Sequence, residues 1–140
     1  IKPSNVLIDE DEQVLLSDFG IARRLDPTAT QLTVTHTTVG TPAYMSPEQA
    51  EGDRDIDARA DIYSLGVMAY EMLTNELPFS AATPTKLLQK ILEEPPLAPE
   101  SFNSELAPGV SFALRRVLAK EPEKRYNSAS EFVNALERIK

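Results

Sequence analysis

Cysteine and tryptophan are missing from the 140 residues, and histidine occurs once, at His36. Without cysteine there are no disulfides and no thiolate metal sites, and a reducing compartment is permitted. Apolar runs are short. None approaches the ~18 residues of a helical membrane span, and no signal-peptide pattern precedes the first of them, so this segment is expected to be soluble and to make no membrane contact. Positive charge is also sparse: 14 Lys and Arg against 22 Asp and Glu give a net charge of −8, and no basic run exceeds two residues. The electrostatic footprint of a nucleic-acid-binding protein is therefore absent.

A chain of this length fits one domain and can own a core, burying roughly 68 to 70% of its extended-chain surface. It opens at Ile1 without an initiator Met and already inside a polar motif, so it is expected to be a fragment. Its organising stretch is Ser17-Asp18-Phe19-Gly20, which follows the apolar run Val14-Leu15-Leu16. A carboxylate at the end of a buried strand asks for a cationic partner. The β-rich runs Val6-Leu7-Ile8 and Val14-Leu15-Leu16 flank the acidic turn Asp9 to Glu12, the pattern of a hairpin. A hairpin returns the chain to its start and brings Asn5 near Asp18. Two hard oxygen ligands that leave room for phosphate oxygens suit Mg²⁺.

From Ile21 to about Val39 the chain is Thr-rich and lacks periodicity, as expected of a long functional or disordered loop. Ser46-Pro47-Glu48-Gln49-Ala50 predicts a short helix with Ser46 as N-cap, ended by Gly52. From Asp57 to about Asn75, the apolar positions Ile62, Leu65, Val67, Met68, Ala69, Met72 and Leu73 cover more than one face, predicting a helix buried nearly all round. Gly66 within it implies a close neighbour. Further helices are expected over about 84–94, with Leu87, Leu88, Ile91 and Leu92 forming a stripe, over 110–119, and over 128–139 behind a Ser128/Glu131 capping box. Four prolines make 95–108 an irregular connection. The class is mainly α with a small β-hairpin at the start.

Taken in order, Lys2-Pro3-Ser4-Asn5, Asp18-Phe19-Gly20, the Thr-rich loop, Gly40-Thr41-Pro42-Ala43-Tyr44-Met45-Ser46-Pro47-Glu48 and Asp61-Ile62-Tyr63-Ser64-Leu65-Gly66 resemble the C-terminal lobe of eukaryotic-like (Hanks-type) serine/threonine protein kinases. The resemblance covers essentially the whole chain, and Tyr44 to Ala50 is most similar to the bacterial branch. It implies a protein-kinase-like C-terminal lobe, truncated, with the N-terminal lobe absent. The expected parts are a catalytic-loop remnant (1–5), a metal-binding motif (18–20), an activation segment (18–48) and a helical subdomain (49–140).

What the resemblance implies can be set against the chemistry. Phosphoryl transfer from ATP is mostly positioning and charge neutralisation, supplied largely by Mg²⁺. Asn5 and Asp18 match the metal ligands. Lys2 matches the lysine that contacts the γ-phosphate and accompanies Ser/Thr specificity, and Thr41 the threonine that bonds into the catalytic loop beside the substrate hydroxyl. Glu48 and Arg125 match a pair tying the end of the activation segment to the base of the lobe; unrelated surface charges are the alternative. Asp61 resembles an internal brace to the catalytic loop, while an acidic residue at a helix N-terminus is also favoured by the dipole. Both readings stay open for Asp61. Thr33 and Thr35 are the phosphorylation candidates, Thr37 and Thr38 the second choices, with Arg23 placed to clamp a phosphate; polar loop filler is the alternative. Leu87 to Leu92 is either packing or a docking face for substrates.

The family's catalytic base matches a position just before Ile1, and the glycine-rich loop, strand lysine and helix glutamate belong to the other lobe. The 140 residues alone are therefore expected to be inactive. Expected partners are proteins presenting Ser or Thr, and further copies of the kinase for autophosphorylation, in the cytoplasm. A scaffold built on the same lobe would have no physical need for Lys2, Asn5 and Asp18 together. A helical interaction module of another family would make no Mg²⁺-dependent nucleotide contact.

Overall fold

The computed structural model describes residues 1–17 and 42–139. The chain begins with a 3₁₀ turn over Pro3–Asn5 and a two-stranded antiparallel sheet, β1 (Val6–Ile8) and β2 (Val14–Leu16), in the register Val6↔Leu16, Leu7↔Leu15, Ile8↔Val14. The acidic turn closes it for a local reason. The Asp9 carboxylate accepts the amides of Asp11 at 3.0 Å and Gln13 at 2.8 Å, while Glu12 takes a left-handed φ of 59°.

One expectation fails here: β2 is not a buried strand. Val14, Leu15 and Leu16 are 70%, 51% and 42% exposed, and Ile8 on β1 is 70% exposed. A two-stranded ribbon cannot bury its own side chains, and among the described residues no layer packs over it.

The rest is helical: α1 (Pro47–Glu51), α2 (Arg59–Thr74), α3 (Pro84–Glu93), α4 (Pro108–Val117) and α5 (Ala129–Glu137), with 3₁₀ turns at Pro42–Tyr44, Pro99–Ser101 and Pro122–Lys124. Helix α1 starts at a complete capping box, in which the Ser46 hydroxyl accepts from the Gln49 amide and the Gln49 side chain accepts from the Ser46 amide. It stops at Gly52, whose φ of 78° suits glycine. At α5 the box is shifted. Ser128 caps the Glu131 amide, but the Glu131 carboxylate accepts the amide of Asn127, one residue before the cap.

Helix α2 is the central post. Its Tyr63, Val67 and Tyr70 are fully buried and meet Ile91 of α3, Leu114 and Val117 of α4 and Phe132 of α5. The Tyr126 and Phe132 rings add a tilted contact at 5.4 Å between centroids. Gly66 permits this packing, because a Cβ there would run into the Val117 side chain. Two details differ from expectation. The helix starts at Arg59 and not at Asp57, whose carboxylate instead accepts the Arg59 amide at 2.8 Å. Met72 is 81% exposed, so α2 is not covered on every face by the described residues.

Candidate functional site

The start of the chain continues the hairpin ladder outward. Lys2 is extended (φ −163°, ψ 158°) and leads into the Pro3–Asn5 turn, where the Asn5 amide donates to the Lys2 carbonyl at 3.0 Å. The Asn5 carbonyl accepts both the amide of Ser17, at 2.7 Å, and its hydroxyl, at 3.3 Å. Asn5 is thus locked beside the residue that immediately precedes Asp18. Asp18, Gly20, Arg23, Thr33, Thr35, Thr37, Thr38 and Thr41 lie outside the described residues.

Ser17 is thus the partner of the Asn5 backbone; side-chain amide and carboxylate oxygens are in general the donors a hard cation takes, with positions left for other oxygens. Among the described residues no group of three or more His, Cys, Asp or Glu side chains could cage a metal on its own.

Glu48 and Arg125, 77 residues apart in sequence, form a bidentate buried ion pair. Arg125 Nη1 and Nη2 donate to the two Glu48 carboxylate oxygens at 2.7 Å each. The guanidinium also donates to the carbonyls of Ala119 (2.8 Å), Arg59 (3.1 Å) and Lys120 (2.7 Å), and lies 4.9 Å from the centre of the Tyr63 ring. Arg125 is only 2% exposed, so this saturation is what makes its burial tolerable. Burial alone would raise the Glu48 carboxyl, but the hydrogen bonds and charge of Arg125 outweigh it and hold the pKa below the usual carboxylate range. The pair joins α1 to the Pro122–Lys124 turn and the first turn of α2.

Asp61 sits in the first turn of α2 with its side chain 64% exposed and one carboxylate oxygen 3.9 Å from the Ile1 amino nitrogen. It is an exposed group facing the start of the chain, not one enclosed by the described residues. Further along α2, the Ser64 hydroxyl donates to the Tyr44 carbonyl at 2.7 Å, and the Tyr44 hydroxyl donates to Glu71 at 2.6 Å. Sequence reasoning missed this connection, since partners 20 and 27 residues apart leave no periodic signal.

It also missed Lys120, whose ammonium donates to the carbonyls of Ile91 (2.5 Å) and Lys90 (3.3 Å) at the end of α3 and lies 4.1 Å above the Phe79 ring. Desolvation lowers its pKa to about 8. In α3, Ile91 is fully buried while Leu87, Leu88 and Leu92 are half-buried, so much of the stripe packs on the lobe.

Among the described residues no helix is long and apolar enough to cross a membrane. The sequence profile of the protein kinase domain matches residues 1–136. The serine/threonine-protein kinase PknB of Mycolicibacterium smegmatis is 39% identical over 139 residues, 99% of this chain and 22% of that protein. A "probable serine/threonine-protein kinase" of Streptomyces coelicolor is 40% identical over 131 residues, 94% of this chain and 19% of its own length. Another of Clostridium acetobutylicum is 35% identical over 140 residues, covering the whole chain and 21% of that protein. The chain thus spans about a fifth of the length of the curated relatives it matches. With the motif order, the helical architecture and a profile match over nearly its full length in agreement, the chain belongs to the protein kinase domain family, with bacterial serine/threonine-protein kinases among its relatives.

Proposed function

We propose that this chain is the metal-binding and substrate-binding part of an ATP-dependent kinase that transfers the γ-phosphoryl group of ATP to Ser and Thr hydroxyls of proteins. The observation that carries the reading is the pairing of the Asn5 backbone carbonyl with Ser17, which holds Asn5 next to the residue preceding Asp18. Asn5 and Asp18 would hold Mg²⁺. When bound, the metal supplies neutralisation of the charge on the transferring phosphoryl group. Lys2, in extended backbone just ahead of Asn5, meets the γ-phosphate with a cationic donor. Thr41 would bond into the catalytic loop beside the incoming hydroxyl.

The parts of the domain follow from these roles: catalytic-loop residues 1–5, the metal motif 18–20, the activation segment 18–48 and the helical subdomain 49–140. The Glu48–Arg125 pair anchors the far end of the activation segment, so that a phosphate on Thr33 or Thr35 has a fixed base to work against. Asp61, in the first turn of α2, would brace the start of the catalytic loop, the role of the matching family aspartate. Autophosphorylation brings two copies together, and the kinase works in the cytoplasm. The 140 residues alone transfer no phosphoryl group, because the matching catalytic base and the nucleotide-binding lobe are not among them.

The test is phosphoryl transfer from γ-labelled ATP to a protein substrate by the full-length protein, with and without Mg²⁺, followed by phosphoamino-acid analysis. Mg²⁺-dependent label on Ser and Thr is expected from the full-length protein, and none from the isolated 140 residues. Label confined to Tyr, transfer indifferent to Mg²⁺, or transfer by the isolated chain would each overturn a stated part of the reading.

A further inference from the structure

Helix α3 ends in front of Pro95 and Pro96, which have no amide hydrogen to offer the carbonyls of Ile91 and Leu92 four residues back. The Ile91 carbonyl is served from outside the helix. The Lys120 ammonium donates to it at 2.5 Å, donates to the Lys90 carbonyl at 3.3 Å and lies 4.1 Å from the centre of the Phe79 ring. Among the described residues no carboxylate forms an ion pair with this ammonium, so a half-buried charge rests on main-chain oxygens and a ring face.

Lys120 also lines two clefts. The larger, about 610 Å³, opens between the end of α3 and the end of α4; Pro95, Pro96, Leu118 and Ala119 line it, with Glu93 and Arg115 as its other charged residues. The smaller, about 280 Å³, carries the acidic residues Glu48, Glu51, Asp53, Glu121 and Glu123. A small anion is repelled from the second cleft, whereas the first offers it two cations against one carboxylate.

We propose that Lys120 is an acylation site: its ε-amino group takes the acyl group of a small acyl phosphate admitted by the larger cleft, and the amide so formed releases the end of α3. The site is separate from the phosphoryl-transfer chemistry and uses neither Asn5 nor Asp18. Acylation needs the free base. Desolvation lowers the Lys120 pKa to about 8, with the charge of Glu94 opposing the shift and that of Arg125 adding to it, so part of the population is unprotonated near neutrality. The neutral amine keeps two N–H donors, one for each carbonyl, and gains a lone pair. That pair adds to the acyl carbon, an N–C bond forms and the C–O bond to phosphate breaks. Inorganic phosphate leaves with the bonding electrons, and the surplus proton on nitrogen passes to water. Arg115, whose Nη2 donates to Glu100 at 2.8 Å, carries five N–H donors in all and so has others for the phosphate. The amide product has one N–H and no charge. It can serve Ile91 or Lys90 but not both, and it loses the cation over the Phe79 ring and the cation at a helix C-terminus.

The experiment is a timed incubation of the full-length protein with acetyl phosphate at a series of pH values, followed by peptide mass spectrometry of each lysine. At about pH 7.5, Lys120 should be acetylated about tenfold faster than the exposed Lys86 and Lys124, its larger free-base fraction being partly offset by the lower nucleophilicity of a weaker base. Its rate should level off above about pH 8 while theirs keep rising toward about pH 10. Arg115→Ala should slow acetylation of Lys120 by acetyl phosphate about threefold and leave acetylation by an uncharged acetyl thioester unchanged. Hydrogen exchange at the Glu93 and Glu94 amides should quicken about tenfold in the acetylated protein. A Lys120 rate no greater than that of Lys86, a Lys120 profile still rising with theirs, or acetylation by the thioester alone would overturn the acyl phosphate site. Unchanged exchange at Glu93 and Glu94 would overturn the release of α3.

Discussion

The hairpin at 6–16 and the helical region at 42–139 obey opposite rules. The helical region keeps Tyr63, Val67, Tyr70, Ile91, Leu114, Val117 and Phe132 at 1% exposure or less, and even its most buried charge, Arg125, has every contact needed to stay there. The hairpin buries none of its six strand residues, yet carries Val, Leu and Ile at all of them. Helices around a common post form a core by themselves, whereas a two-stranded ribbon only presents its side chains. Stability should therefore reside in the helices, and the hairpin's regular pairing should serve to place Asn5.

That contrast can be broken most directly at Arg125. Arg125→Ala leaves the Glu48 carboxylate buried without its partner and should cost about 3–5 kcal/mol in denaturant unfolding. A loss below about 1 kcal/mol would mean the pair is not the bolt between α1 and the Pro122 turn. Gly66→Ala comes next. The new methyl collides with Val117, so a loss of about 1–3 kcal/mol is expected. Adding Val117→Ala should return part of it, and full additivity of the two would contradict the close approach of α2 and α4.

The pH dependence sharpens the same picture. The folded pKa of Lys120 lies near 8, below the ordinary lysine value of 10.5, so between these limits the unfolded chain binds more protons. Its contribution is therefore full above 10.5 and is lost as pH falls through 8, and stability should climb with pH in that window. Tyr63 and Tyr70 act oppositely. Burial raises both, Tyr70 to about 12, so their contribution is present below 10 and lost as pH rises beyond it. Unfolding free energy should thus rise from pH 8 toward 10 and then fall, and Lys120→Met should flatten the rising limb. A rising limb that persists in Lys120→Met would remove the assignment. The smallest effect belongs to the ribbon: Ile8→Ser and Val14→Ser, each at a 70% exposed position, should change the stability of the 140-residue chain by no more than about 0.5 kcal/mol. A loss above about 2 kcal/mol in that chain would erase the distinction between the two regions.

Much of the fold could be read locally. Ser46, Pro47 and Gly52 bound α1 because each meets a backbone requirement within one turn, and Gly66 announced a close neighbour because nothing else justifies glycine inside a helix. Burial was harder to read. Val14-Leu15-Leu16 looks the same whether a layer covers it or not, and Met72 follows the apolar pattern of α2 while facing outward. At the candidate site, Glu48 and Arg125 are joined across 77 residues and were legible only through the family resemblance, since no spacing rule links them. The Tyr44 connection was not legible at all. A tyrosine, a serine and a glutamate are common residues, and only the fold reveals that they converge.

The most direct test of the central claim is the Mg²⁺ dependence of Ser/Thr phosphorylation by the full-length protein carrying Asn5→Ala or Asp18→Ala. If these residues hold the metal against the nucleotide phosphates, each substitution should lower the transfer rate by about 10²–10³-fold with the helical core intact. Unsubstituted rates and an unchanged Mg²⁺ requirement in both variants would contradict it.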